Sequence, residues 1–142
     1  MRRAVLDASV VLKWYLPDED RGREALDLLD LYLSDDLEIV APSLLEYELI
    51  NGLVVAQRRG RIREEVITAA VEGFLNLSIK TIGVSVLYSR LLRFCRAYSR
   101  SAYDASYLAL AEAEGIPFIT ADDSLYNAVK KDLAWVKWLG RR

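Results

Sequence analysis

Short apolar stretches of β type alternate with segments of helical periodicity along the chain, and this alternation limits the available folds more than any other feature. The β-type stretches fall at residues 4–6, 38–41, 79–82, 117–120 and 135–138. Helical spacing of apolar residues fills the intervals at 20–33, 43–59, 63–76, 85–98, 103–114 and 124–131. Strands separated by helices argue for an α/β fold, with a parallel sheet covered on both faces. Three prolines and seven glycines leave little room for long linkers, and 142 residues suit one domain over 1–142. In such sheets functional groups gather beyond the carboxyl ends of the strands.

Four acids occupy positions that this arrangement makes informative. Asp7 follows Ala4-Val5-Leu6 and precedes Ala8-Ser9-Val10-Val11-Leu12, and Asp122 closes Pro117-Phe118-Ile119-Thr120-Ala121. Each stands directly after an expected strand. If Leu45, Glu48, Leu49 and Gly52 form one helical stripe, Glu48 faces inward with them, while Glu46, about 200° round the helix, points away. Asn51 shares the face of Glu48. Asp104 lies in the first turn of its helix, with Tyr107, Leu108 and Ala111 following on one side. An ionised acid within an apolar stretch is costly to bury unless a partner compensates it.

The chain has no His. Ser-His-Asp and Cys-His catalysis are therefore excluded, as are zinc sites of Cys/His type. The single cysteine, Cys95, cannot form an intramolecular disulfide and reads as a core or partly buried thiol. Any metal site must use oxygen ligands, which favours Mg²⁺ or Mn²⁺. One or two such ions offset the mutual repulsion of converging carboxylates and activate water for attack on a phosphoryl group. Asp7, Glu48, Asp104 and Asp122 are the candidate catalytic acids and metal ligands, direct or through water. Ser9 and Thr120 through hydroxyls, and Asn51 through its amide, are candidates to support them.

Each acid also has a structural reading. Asp104 and Asp122 suit helix N-caps, with Asp123 and Ser124 competing at the second site. Asp7 could pair with a buried Arg, and Glu48 could be a surface acid. Trp14, Tyr15, Tyr103 and Tyr107 could stack on bases or pack in the core.

The net charge of −2 and pI near 5.3 are not those of a strongly basic nucleic-acid binder. The cations nevertheless cluster, at Arg58, Arg59, Arg61 and Arg63, at Arg90, Arg93, Arg96 and Arg100, and at Lys130, Lys131, Lys137, Arg141 and Arg142. These read as solvated faces, or as contacts to phosphate or an acidic partner. No apolar run reaches the roughly 18 residues that span a bilayer, and Asp7 comes too early for a secretory signal, so no membrane role and a cytoplasmic location are expected.

The stretch from Val5 to Trp14 containing Asp7 and Ser9, then Ala41-Pro42-Ser43-Leu44-Leu45 with Glu48 and Asn51, then Tyr103-Asp104-Ala105-Ser106-Tyr107-Leu108-Ala109-Leu110-Ala111, then Thr120-Ala121-Asp122, together resemble the PIN-domain ribonucleases. More closely they resemble the VapC toxins of prokaryotic toxin–antitoxin pairs. The resemblance covers essentially the whole chain. It implies a three-layer αβα fold with a central, mainly parallel sheet of about five strands. It implies endonucleolytic cleavage of RNA dependent on Mg²⁺ or Mn²⁺, with the family's acids falling on Asp7, Glu48, Asp104 and Asp122. It also implies a homodimer and a cognate VapB-like antitoxin that inserts a segment into the active-site groove.

Three other readings stay open at this stage. PIN domains also serve in RNA processing, and the same fold without turnover would be an RNA- or protein-binding module. An aspartyl-nucleophile phosphatase would want a second acid two residues after Asp7, where the chain has Ser9.

Overall fold

A computed structural model describes residues 2–140, so Arg141 and Arg142 of the C-terminal basic cluster lie outside the described residues. The strands are β1 (Arg2–Leu6), β2 (Leu37–Pro42), β3 (Lys80–Ile82), β4 (Phe118–Thr120) and β5 (Val136–Trp138). They form one parallel sheet in the order β3-β2-β1-β4-β5. The helices are α1 (Ala8–Val11), α2 (Gly22–Leu33), α3 (Leu44–Arg58), α4 (Glu64–Asn76), α5 (Tyr88–Tyr98), α6 (Ala102–Glu114) and α7 (Asp123–Val129).

The strand side chains divide by the two-residue period of a β-strand. Ala4, Leu6, Ile39 and Ala41 face one side, where they pack with Val10 and Val11 of α1, Ala25 of α2, Leu45, Leu49 and Leu53 of α3, and Phe74 of α4. Val5, Val40, Phe118 and Val136 face the other, against Leu91 and Phe94 of α5, Leu108 of α6, and Leu125 and Val129 of α7. Both faces of the sheet are therefore apolar. This explains why residues 4–6 of β1 and 39–41 of β2 read as unbroken hydrophobic runs, and it yields the expected three-layer αβα architecture.

One element departs from the expectation. The apolar run after Asp7 turns at once into α1 and a 3-10 turn over Leu12–Trp14. The Asp7 carbonyl accepts from the amides of Val10 and Val11 at 3.1 and 3.2 Å, which starts the helix. Leu12 then lies against α3, where a Cβ at Gly52 would come within 2.6 Å of its side chain. Elsewhere the ends follow ordinary chemistry: Ser101 caps α6, and Gly115 closes it at φ 65°, a conformation that suits glycine.

Candidate functional site

From β1 the chain builds outward through β2 and β3, then returns to place β4 on the other side of β1. The carboxyl ends of β1 and β4 thus meet where the strand order reverses, the crevice in which open α/β sheets bind ligands. Val5 pairs with Phe118 and Leu6 with Ile119, which brings Asp7 across from Thr120.

The Asp7 side chain does not cap α1. Its Oδ1 accepts from the Ser9 hydroxyl, and its Oδ2 accepts from the Thr120 hydroxyl at 2.6 Å. Both hydroxyls are held by backbone: the Ala121 amide donates to Ser9 Oγ at 2.9 Å, and the Asp122 amide donates to Thr120 Oγ1 at 3.1 Å. With an amide proton on each oxygen, the two hydroxyl protons are directed at Asp7. The carboxyl is only 6% exposed. Burial pushes it up to about 7; the two hydroxyls act against that rise, and the charges of Asp122 and Glu48 add to it.

Glu48 is half-buried on α3 between the buried Leu45 and Leu49. Its Oε1 accepts from the Tyr107 hydroxyl at 2.5 Å. Burial raises its carboxyl above the usual range, the Tyr107 bond lowers it, and the Asp104 and Asp122 charges raise it. Tyr107 is itself buried and stacked on Phe118, with centroids 5.7 Å apart and planes at 8°. Burial and the adjacent Glu48 charge push its hydroxyl far above the usual phenol range, so it stays a donor. Asn51, one turn beyond Glu48, is exposed and lines a shallow groove with Leu44, Tyr47, Glu48 and Tyr103.

Asp104 lies in the first turn of α6 but does not cap it, because Ser101 Oγ already accepts from the Asp104 amide at 3.1 Å. The Asp104 Oδ2 instead accepts from Arg100, at 3.1 Å from Nε and 2.7 Å from Nη2. Arg100 Nη1 donates to Ser124 Oγ at 3.1 Å, so one guanidinium bridges the starts of α6 and α7. Asp122 caps α7, its Oδ1 accepting from the Leu125 amide at 3.1 Å. The cap role weighed for Asp122 is therefore real and engages one of its two oxygens.

The four acids act on one another: Asp7 feels Glu48 and Asp122, and Glu48 feels Asp104 and Asp122. Among the described residues, none of the ion pairs includes Asp7, Glu48 or Asp122, so no buried Arg compensates Asp7. Nor do any three acids among the described residues form a ready-made metal cluster. The donor set still fits a hard divalent ion. It is all oxygen, carries excess negative charge, and includes the buried Asp7 carboxylate, and Mg²⁺ keeps several waters rather than demanding every ligand directly.

Two members of this network are not evident from the sequence. Tyr107 reaches Glu48 across 59 positions, which no local pattern signals. Arg100 and Asp104 are four apart on the helical repeat, a spacing that does signal an ion pair, although a coil junction at Ser99 separates α5 from α6. Of the other aromatic candidates, Tyr103 is exposed, while the Trp14 ring nitrogen donates to the Ala25 carbonyl at 2.8 Å and Tyr15 packs edge-on to Trp14.

The chain is similar to known proteins in sequence and in fold. The model of the PIN domain family matches residues 4–131. Ribonuclease VapC3 of Pyrobaculum aerophilum is 28% identical over 125 residues, covering 87% of this chain and 92% of that protein. Ribonuclease VapC9 of Mycobacterium tuberculosis is 32% identical over 118 residues, covering 83% and 84%. In three dimensions the chain is similar to PAE2754 from Pyrobaculum aerophilum, with a TM-score of 0.70 at 22% identity over 97% of this chain and 91% of that one. It is also similar to Mycobacterium tuberculosis VapC20, a sarcin–ricin loop cleaving toxin, with a TM-score of 0.62 at 17% identity over 89% and 95%.

Proposed function

Because the chain belongs to the PIN-domain family, among its VapC-type members, we propose that it is a metal-dependent endoribonuclease, the toxin of a VapBC-type pair. The observation that carries this reading is the Asp7 carboxylate, buried at the sheet's switch point and pressed by Glu48 and Asp122, with no cationic side chain among the described residues paired to it. Evolution has little reason to keep such a group unless something charged binds there.

Asp7, Glu48, Asp104 and Asp122 would hold Mg²⁺ or Mn²⁺, partly through water. When bound, such an ion lowers the pKa of a water and neutralises charge on the phosphate under attack. Ser9 and Thr120 orient Asp7 by donating to its two oxygens, and Tyr107 fixes the Glu48 carboxylate that faces the groove. Asn51 lies at the groove's edge, where its amide is able to donate to RNA.

The partners follow from the same reading. RNA is the substrate. A VapB-like antitoxin would place an Arg against the carboxylates, a charge-assisted contact of the kind that Arg100 already makes with Asp104. Exposed Val84, Val86, Tyr88 and Leu92 support a homodimer. No helix among the described residues is long and apolar enough to cross a membrane, and a toxin acting on cellular RNA would work in the cytoplasm.

The test is cleavage of a panel of structured RNAs by the purified protein, with Mn²⁺ or Mg²⁺ and with chelator, beside Asp7→Asn. Cleavage that needs both the ion and Asp7 is expected. Equal cleavage by the variant would refute the assignment.

A further inference from the structure

Among the described residues, Asp104 is the one acid of the four in an ion pair, and its partner is Arg100. The Arg100 guanidinium places two nitrogens on Asp104 Oδ2 and its third on Ser124, and only 18% of the side chain is exposed. Ser124 lies two residues beyond Asp122, so the guanidinium is anchored to the helix that Asp122 caps.

We propose that Arg100 is a built-in counter-cation that competes with the divalent ion for Asp104. This inference rests on the metal-dependent reading above. Arg100 holds Asp104 Oδ2, so a divalent ion that takes this oxygen must displace the guanidinium, and one that takes Oδ1 is repelled by it from close range. Until then Arg100 offsets part of the site's negative charge, and among the described residues the other three acids carry no such partner. The anchor on Ser124 gives the displaced guanidinium a place to remain at the rim. Arg100 is thus a positioning residue that sets how much free ion the site requires.

The experiment is calorimetric titration of Mn²⁺ into wild type, Arg100→Gln, Arg100→Lys and Arg96→Gln, with the Mn²⁺-induced rise in melting temperature measured beside it. Arg96 lies on the preceding helix α5 and is exposed, and its substitution removes the same charge without touching Asp104. Arg100→Gln is expected to bind Mn²⁺ about tenfold more tightly than wild type, equivalent to about 1.4 kcal/mol. It should melt lower without the ion and gain more on its addition. Arg100→Lys, which keeps the charge but loses the fork, should fall between, and Arg96→Gln should match wild type. Equal or weaker binding by Arg100→Gln overturns the competitor role while leaving the metal site standing. An equal gain in Arg96→Gln overturns it too, since general charge would then suffice. No Mn²⁺ binding by any of the four proteins overturns both this proposal and the reading on which it rests.

Discussion

Replacing Asp7 by Asn should make the metal-free protein more stable, and the gain should grow with pH. In the folded chain burial holds the Asp7 carboxyl up to about 7, against an ordinary value of 3.8. Between those values the unfolded chain carries an ionised Asp7 while the folded chain keeps it protonated. The folded form binds more protons there, so stability falls as pH rises from about 4 to about 7 and is level above. The full displacement corresponds to about 4 kcal/mol. Asn removes that cost but must accept one hydroxyl and donate to the other, and a misfit there costs about 1 kcal/mol. The net gain is therefore about 3 kcal/mol at pH 8 and under about 1 kcal/mol at pH 5. In chelator, the melting temperature of Asp7→Asn should exceed that of wild type by about 10 °C at pH 8, with little difference at pH 5. Adding Mn²⁺ should raise wild type and leave the variant where it was. A variant less stable than wild type at pH 8, or a gap independent of pH, would show that Asp7 is not a buried, uncompensated charge.

Other outcomes follow from the same network. Affinity for Mn²⁺ should tighten as pH rises through about 7, where Asp7 loses its proton, and calorimetry in two buffers should detect the proton released on binding. Asp122→Asn keeps an oxygen for the Leu125 amide and should retain stability within about 0.5 kcal/mol while losing cleavage; Asp122→Ala should lose the cap as well, about 1 kcal/mol by urea denaturation. Tyr107→Phe should cost about 1 kcal/mol and at least tenfold in cleavage rate, because Glu48 is left unanchored with its packing intact. Glu48→Gln should abolish cleavage with stability unchanged or improved in chelator, since burial already disfavours its charge.

What could be read from the sequence, and what could not, divides along the range of the interactions involved. The central strands β1 and β2 were legible because both faces of the sheet are buried, so Val5 and Val40 serve one core while Leu6 and Ile39 serve the other, and residues 4–6 and 39–41 appear as continuous apolar runs. The same property hid α1. Val10 and Val11 are as apolar as β1, and what ends the strand is a pair of hydrogen bonds to the Asp7 carbonyl, together with a Gly52 on α3 that lets Leu12 come close. The acids were legible for a local reason too: an ionised group in an apolar stretch is costly wherever the chain takes it, so Asp7 and Asp122 are conspicuous at the strand ends. Their tuning was not. Thr120 reaches Asp7 across 113 positions and Tyr107 reaches Glu48 across 59, and neither separation carries a periodicity that a reader could detect. Those distant hydroxyls are what keep Asp7 from rising still higher and hold Glu48 toward the groove. The positions of the acids therefore mark where negative charge converges, while hydroxyls delivered by other elements set how strongly each carboxyl holds its proton.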